Sequence, residues 1–408
     1  MATNNEKIIA STLDSLNLSS ATGFRNLGDY LKDVNINLMG KEILSSPDLI
    51  NKFATNLVNR IGRTYIKSNF YSNGLGDFKK EKTPLGVAVQ DIFINTFQPS
   101  DWNFTDTEDL IKYHDTTDII TVYYTVNSNK KYSVSIAQPE LQKALIDFNT
   151  LNNLVNTITS QLMVSQEVYE WNTTKELLGR DFNKAVSCGV KQKIEFFNET
   201  FAQDFVKQCR NINAEFQVPS AFNNNFQNYS NSLDNPELSK NPLTVISKKE
   251  DINIIMRMSI KSVCDVDVNA VSFNPNSSDI LGKQHLVDNF GVTTKQTSDD
   301  GKTYDFLYSH TKKVTNPENG ETSTEVVNYY DLTSYTYTDT QSKKHHIQLQ
   351  AVICDDSFIH ISDQYTPILS TFYNPSVLVL SAFLHSSQRF GLCPFANAKY
   401  LYTDEIVE

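Results

Sequence analysis

Between Leu57 and Gly86 two alternating apolar runs flank a glycine turn, and no other stretch narrows the possible folds of this chain as much. Leu57-Val58-Asn59-Arg60-Ile61-Gly62 leads into Tyr65, Ile66, Phe70 and Tyr71, and the turn Asn73-Gly74-Leu75-Gly76 follows. The cluster Phe78-Lys79-Lys80-Glu81-Lys82 and then Thr83-Pro84-Leu85-Gly86 lead on to Val87, Val89, Ile92 and Ile94. Period-two alternation on both sides of Asn-Gly signals predicts a long β-hairpin. Its lysines fall near the tip, where a single chain has little core to offer them. The segment therefore predicts assembly with other chains rather than chemistry, and deleting 73–80 is expected to leave a folded subunit. An ordinary surface hairpin satisfies the same pattern.

At 408 residues the chain is too long for one core of ordinary size, so two or three subdomains are expected. A hydrophobic content of 39% with 11% aromatics argues for folded structure rather than wholesale disorder. A formal charge of −11 speaks against a dedicated nucleic-acid binder, though not against a shell that passively confines nucleic acid. The start, Met1-Ala2-Thr3-Asn4-Asn5-Glu6-Lys7, carries no signal-peptide pattern, and the most apolar run, Val377 to Leu384, is far short of a membrane span. Cys188, Cys209, Cys264, Cys354 and Cys393 are scattered and odd in number, which predicts reduced, dispensable thiols with neither disulfides nor a zinc site.

Residues 1–56 read as short amphipathic pieces of an arm, and 57–137 as one β-rich excursion that includes strand candidates at Ile119–Val126 and Tyr132–Ile136. After Gln138-Pro139-Glu140, residues Leu151, Leu154, Val155, Ile158, Leu162, Tyr169 and Leu177 recur at helical spacing opposite a polar face. This predicts a helix of about thirty residues, about 45 Å long, ending near Gly179. A strand at Val186–Ile194 and a helix at Glu199–Asn213 complete a unit at 138–221. An Asn-rich connection from Phe222 to Pro242 marks a boundary before the buried strand Ile252–Ile260. Residues 222–350 form the next unit. Within it, hairpin signals at Asp299-Asp300-Gly301, Asn316-Pro317 and Asn319-Gly320 predict an inserted β-rich lobe at 297–343 that decorates the body. Residues 351–408 return to the preceding units.

Three motifs in order, Leu57-Val-x-Arg60-Ile-Gly62, Phe78-Lys79-Lys80 and Pro84-Leu85-Gly86, resemble the major capsid protein of the phi29-like small short-tailed bacteriophages. A later block, Asp265-Val-Asp-Val268 followed by Asp279-x-Leu-Gly282, and Gln388-Arg389-Phe390 with Ala396-Asn397-Ala398, are similar to the same family. Relatives join Arg-Phe directly to Ala-Asn-Ala, so the intervening Gly391–Pro394 and the extra Phe395 leave the alignment of Arg389 open by a few residues. The resemblance implies an α+β, Hong-Kong-97-type capsid fold with N-terminal arm, extended loop, spine helix with peripheral sheet, and axial domain. It implies a virion location and pentamers and hexamers of this chain closing an icosahedral shell around double-stranded DNA. The portal protein at one vertex, a scaffolding protein and packaged DNA on the inner face are the other implied partners; no membrane is involved. Intersubunit contacts are expected from Arg60, Phe78, Lys79, Lys80, Lys82, Pro84 and Leu85, and turns or hinges at Gly62, Gly74, Gly76, Gly86 and Gly282. The C-terminal immunoglobulin-like domain that some relatives append is not expected. A receptor- or sugar-binding virion protein, suggested by the Asn/Thr/Tyr-rich stretch 292–350, is the alternative.

Candidate chemistry is sparse, and neither enzyme activity nor a cofactor is expected. His345-His346 with His360 lacks a fourth metal ligand, and adjacent histidines on a strand point to opposite faces. Asp265 and Asp267 would lie about 7 Å apart on one strand face, where solvent-facing or interface carboxylates are the simpler reading. Gly74-Leu75-Gly76 lacks the rest of a dinucleotide loop, and there is no Gly-x-Ser-x-Gly, phosphate-loop or His-Glu-x-x-His motif.

Overall fold

The computed structural model of the chain describes residues 73–82, 88–95, 119–137, 148–187, 194–196, 201–219, 244–265, 282–315, 322–339, 341–374, 376–377 and 379–407. The expected N-terminal arm, the first hairpin strand at 65–71 and the connection at 222–242 lie outside these residues.

The body is organised around strand β5 (Ile252–Arg257), in which every residue is buried. Four of its six residues are apolar, and burial of all six marks a strand covered on both faces. It pairs antiparallel with β10 (Lys344–Asp355) and parallel with β6 (Lys283–Val287). On its other edge β10 pairs with β14 (Ala398–Val407), which in turn pairs parallel with the short β4 (Ile194–Phe196). Helix α2 (Phe201–Phe216) buries Phe205, Cys209, Ile212 and Phe216 at helical spacing. With Ile260 and Cys264 of α3 (Met258–Cys264), these residues cover the face that carries Ile254, Met256, Ala351 and Ile353. The expected strand 252–260 thus ends at Arg257, where the chain turns into α3. Packed against the opposite face of the sheet, Leu178 and Phe182 of α1 (Phe148–Ser187) meet Ile255, Val352, Tyr400 and Tyr402.

Helix α1 has 40 residues, about 60 Å at 1.5 Å per residue, and does not stop at Gly179. That glycine serves close packing instead: a Cβ there would lie 2.0 Å from the Phe290 carbonyl oxygen. The buried ridge runs through Leu162, Gln166, Glu170, Thr174, Leu178 and Phe182, so three polar residues expected on the solvent face point inward. Their ridge faces a second sheet. In it β13 (Val379–Leu392) pairs along one edge with β3 (Ser128–Ala137), and along the other with β12 (Ile368–Asn374) and β11 (Ile359–Asp363). Because β3 lies in this sheet, the excursion drawn at 57–137 is not one unit. Strands β1 (Val89–Ile94) and β2 (Ile119–Tyr124) form a separate two-stranded ribbon.

The expected decorative lobe is also corrected. Strands β8 (Thr303–Thr315) and β9 (Thr322–Thr338) form a long hairpin, but the base of β9 pairs with Lys344–Gln348 of β10 and belongs to the main sheet. The short β7 (Val292–Thr293) pairs with β9 as well. Strand β10 changes partner along one edge, from β9 to β5, at a bulge beside Leu349. Arg257 fills that junction, donating to the Leu349 carbonyl (2.5 Å), Asp331 (2.9 Å) and Thr333 (3.0 Å), all buried. The unit boundary placed at 350 therefore cuts through a strand. The outer hairpin is exposed, with Phe306, Tyr308 and Val326 each more than half accessible.

Three outcomes follow from this packing. Gly179→Ala should lower stability by about 1–3 kcal/mol through overpacking, although alanine is intrinsically the better helix former by about 1 kcal/mol; urea denaturation decides the sign. Replacing 308–327 by a tight turn should leave a folded subunit by circular dichroism. Excising 297–343 should not, because it strands the buried Arg257 charge at a cost of about 3–5 kcal/mol.

Candidate functional site

The two sheets and α1 meet around residues 73–82. Asn73 to Phe78 make a turn closed by a single 3-10 turn at Gly76–Phe78, in which the Leu75 N–H donates to the Asn73 side chain at 2.9 Å. Leu75 and Phe78 are fully buried in the central core. Burial of this kind contributes about 1.5–3 kcal/mol per side chain. The expectation that this turn is a hairpin tip without core of its own is thus overturned, and with it the idea that deleting 73–80 leaves the subunit folded. His285 of β6 donates from Nδ1 to the Gly74 carbonyl at 2.8 Å, and its ring lies 5.2 Å from that of Phe78. Beyond the turn, the Lys80 N–H donates to the Ile361 carbonyl at 2.7 Å, and Lys79 bridges in parallel to Ile361 of β11.

Lys79 completes the junction. Its ammonium lies 2.8 Å from Glu170 Oε2 on α1 and 3.1 Å from Asp363 Oδ2 on β11. Gln388 of β13 spans the same two carboxylates, donating to Glu170 at 2.8 Å and Asp363 at 2.9 Å. Asn73 donates to the other Glu170 oxygen at 3.3 Å. Burial works against the Lys79 charge, but Glu170 and Asp363 outweigh it and raise the ammonium above its ordinary value. One turn back on α1, Glu167 is pushed up by burial and then by the charge of Glu170, with Lys79 opposing. Four elements distant in sequence therefore share one charge cluster.

The ribbon that follows rests on the body through stacked rings. Tyr124 lies flat on His360 at 4.2 Å with 2° between planes, and Phe93 meets Phe395 at 5.5 Å. Gly391 lies opposite His360 in the β11–β13 pairing, and a Cβ there would stand 2.6 Å from the Tyr124 ring. Burial pushes His360 down, with Asp91 opposing and Lys80 and Arg389 reinforcing.

Of the other contact residues named from sequence, Lys80 donates from Nζ to the Asp356 carbonyl at 3.1 Å and Lys82 to Thr366 at 3.3 Å, both exposed. Gly74 sits beside the Trp171 ring, Gly76 opens the 3-10 turn, and Gly282 has φ +83° beneath the Ile252 carbonyl. Arg60, Gly62, Pro84, Leu85 and Gly86 lie outside the described residues. The three histidines weighed as metal ligands have separate partners: His345 binds Asp404 and approaches Asp339, His346 binds Asp305, and His360 contacts Ser362. Among the described residues no group of three metal-ligating side chains converges. Cys209, Cys264, Cys354 and Cys393 are buried and form no disulfide among the described residues. Glu170 and Asp363 were not singled out from sequence, and Gln388 was noted only as part of the family motif Gln388-Arg389-Phe390. Stepping by four from Leu162 to Phe182 passes through Glu170 and would have marked it as inward-facing.

A family model described as Phi29-like phage major capsid protein matches residues 20–402. The chain belongs to that family. The major capsid protein of Bacillus phage PZA is 22% identical over 302 residues, covering 74% of this chain and 64% of that protein. That of Streptococcus phage Cp-1 is 25% identical over 291 residues, covering 66% of this chain and 76% of the relative. The chain thus spans slightly less than two thirds of the PZA protein's length. A chain in the capsid structure of Staphylococcus phage Andhra has the same fold with a TM-score of 0.56 at 15% identity, covering 85% of this chain and 91% of the other. The architecture described above is accordingly an α+β phage capsid fold.

The pH response of the junction has a definite sign. Because folding raises the Lys79 ammonium above 10.5, its contribution is complete below that pH and is lost as pH rises through the folded value. Trp171 reports on it, being in contact distance of Gly74. In a Trp102→Phe background, alkaline titration should change Trp171 emission, and Lys79→Arg should remove that component of the change because guanidinium stays charged.

Proposed function

We propose that this chain is the major capsid subunit of a small short-tailed phage, forming pentamers and hexamers that close into an icosahedral head around double-stranded DNA. The Hong-Kong-97-type division of labour suits the parts described: α1 as the spine, the β3–β13 sheet as the peripheral layer, the main sheet as the axial body, and β1–β2 as the root of the extended loop. On this reading a portal protein occupies one vertex, a scaffolding protein assists closure, and packaged DNA meets the inner face. Its work is structural rather than enzymatic.

One observation carries the reading. The inner face of the β1–β2 ribbon is completed by Phe93, Ile120 and Val122 against the core, while its outer face presents Ile92, Ile94 and Tyr123, each about 60% exposed. Two strands alone are marginal in water, and an uncovered apolar row of this kind marks a contact surface. A neighbouring subunit supplies the cover. Nothing in the described residues favours a sugar- or receptor-binding spike over this.

Ile92→Thr with Ile94→Thr and Tyr123→Ser should leave a subunit of unchanged circular dichroism that no longer sediments as particles. Unaltered shells from the triple variant would remove the ribbon face from the contact, and discrete trimers from the parent chain under all conditions would overturn the capsid reading.

A further inference from the structure

We propose that Lys79, held between Glu170 and Asp363, is a positioning residue that fixes the direction in which the extended loop leaves the body, and that assembly depends on this direction more than subunit stability does. The inference rests on the capsid reading and goes beyond it by naming the device that aims the loop.

The cluster divides two physical tasks between neighbouring residues. Leu75 and Phe78 bury apolar surface, which is attractive from any angle and tolerates small rotations. Lys79 is directional. Its ammonium is satisfied only where a carboxylate of the spine helix and one of β11 stand 2.8 Å and 3.1 Å away, a single position relative to both elements. Gln388 holds those carboxylates in place from β13 with bonds of 2.8 Å and 2.9 Å, so the receptor for Lys79 is braced by bonds that do not involve Lys79. Glu170 is further fixed by Asn73 on the entering side of the turn, and Asp363 ends the strand whose Ile361 pairs with the Lys79–Lys80 backbone. An ion pair with buried carboxylates and a part-exposed ammonium adds little stability relative to apolar groups of the same shape, because desolvation offsets most of the attraction; the attested use of such pairs is to fix register.

Position matters here because of leverage. The described chain after Lys82 resumes at residue 88 in the β1–β2 ribbon, whose outer face is the contact surface of the capsid reading. The ribbon touches the body through Phe93, Ile120 and Val122 on the core, through Tyr124 stacked on His360, and through a hydrogen bond from the Thr244 N–H to Asn95 (3.2 Å); the apolar and ring contacts slide more readily than an ion pair. Without the Lys79 charge the ribbon remains attached but is less narrowly aimed. Closed shells require the same aim in every copy.

The test compares three full-length proteins: the parent, Lys79→Arg, and a near-isosteric charge-free set of Lys79→Met, Glu170→Gln and Asp363→Asn, which keeps oxygen acceptors for Gln388. Hydrogen exchange on the unassembled subunit should show protection at 78–82 and 89–94 reduced about tenfold in the charge-free set, with β5 and β10 unchanged. The concentration needed for particle formation should rise about tenfold or more, while Lys79→Arg keeps both readouts near the parent. Parent-like protection in the charge-free set overturns the inference, as does assembly at the parent's threshold. Loss of protection throughout the body assigns the cluster a general structural role and also overturns it. Because exchange is read on the free subunit, failure of the parent to form particles refutes the capsid reading separately from the loop-aiming role of the cluster.

Discussion

A single positive charge held by carboxylates from two different elements is the constraint on which the arrangement depends. Lys79 meets Glu170 on the long helix and Asp363 on the second sheet, and Gln388 ties those acids together from a third direction. Around it Leu75 and Phe78 join the central core, and His285 ties the same turn to the main sheet. The helix, the two sheets and the ribbon also touch one another directly, and the turn adds a point at which the helix and both sheets are held together. The apolar part supplies most of the free energy, on the order of a few kcal/mol, and the charged part supplies the geometry.

The same division appears at a second junction. Where β10 passes from β9 to β5, the backbone cannot pair continuously, and Arg257 fills the gap with bonds to Leu349, Asp331 and Thr333. A buried arginine is tolerated there because all its partners are supplied by the strands it joins. The long hairpin is thereby part of the main sheet at its base and free only in its outer half. Both junctions solve one problem, namely fixing the angle between surfaces that hydrophobic packing alone leaves loosely defined.

Much of the fold was legible from local pattern. The buried run at Ile252–Arg257, the helices at 148–187 and 201–216, and the hairpin near 303–338 follow from periodicity and turn residues. The misreadings have definite causes. Gly179 reads as a helix stop, but its missing side chain serves the approach of Phe290, a contact with no local signal. The polar residues Gln166, Glu170 and Thr174 read as a solvent face, but bonds from distant segments satisfy Glu170 in the interior. The turn at 73–80 reads as a free tip because its core partners, Ile361, His285 and Glu170, lie roughly 100 to 280 positions away. The family motif at Phe78-Lys79-Lys80 directed attention to these residues as intersubunit contacts, and the signal did not show that within their own chain Phe78 enters the core and Lys79 meets Glu170 and Asp363.

The most direct test is a cryo-electron microscopy reconstruction of particles assembled from the purified chain, at a resolution that shows side chains. The account predicts closed shells in which Lys79 pairs with Glu170 and Asp363 of its own subunit, while Ile92, Ile94 and Tyr123 are covered by a neighbouring copy. Particles in which Lys79 reaches across to another subunit's carboxylates, or in which the outer face of the ribbon stands open to solvent, would contradict it.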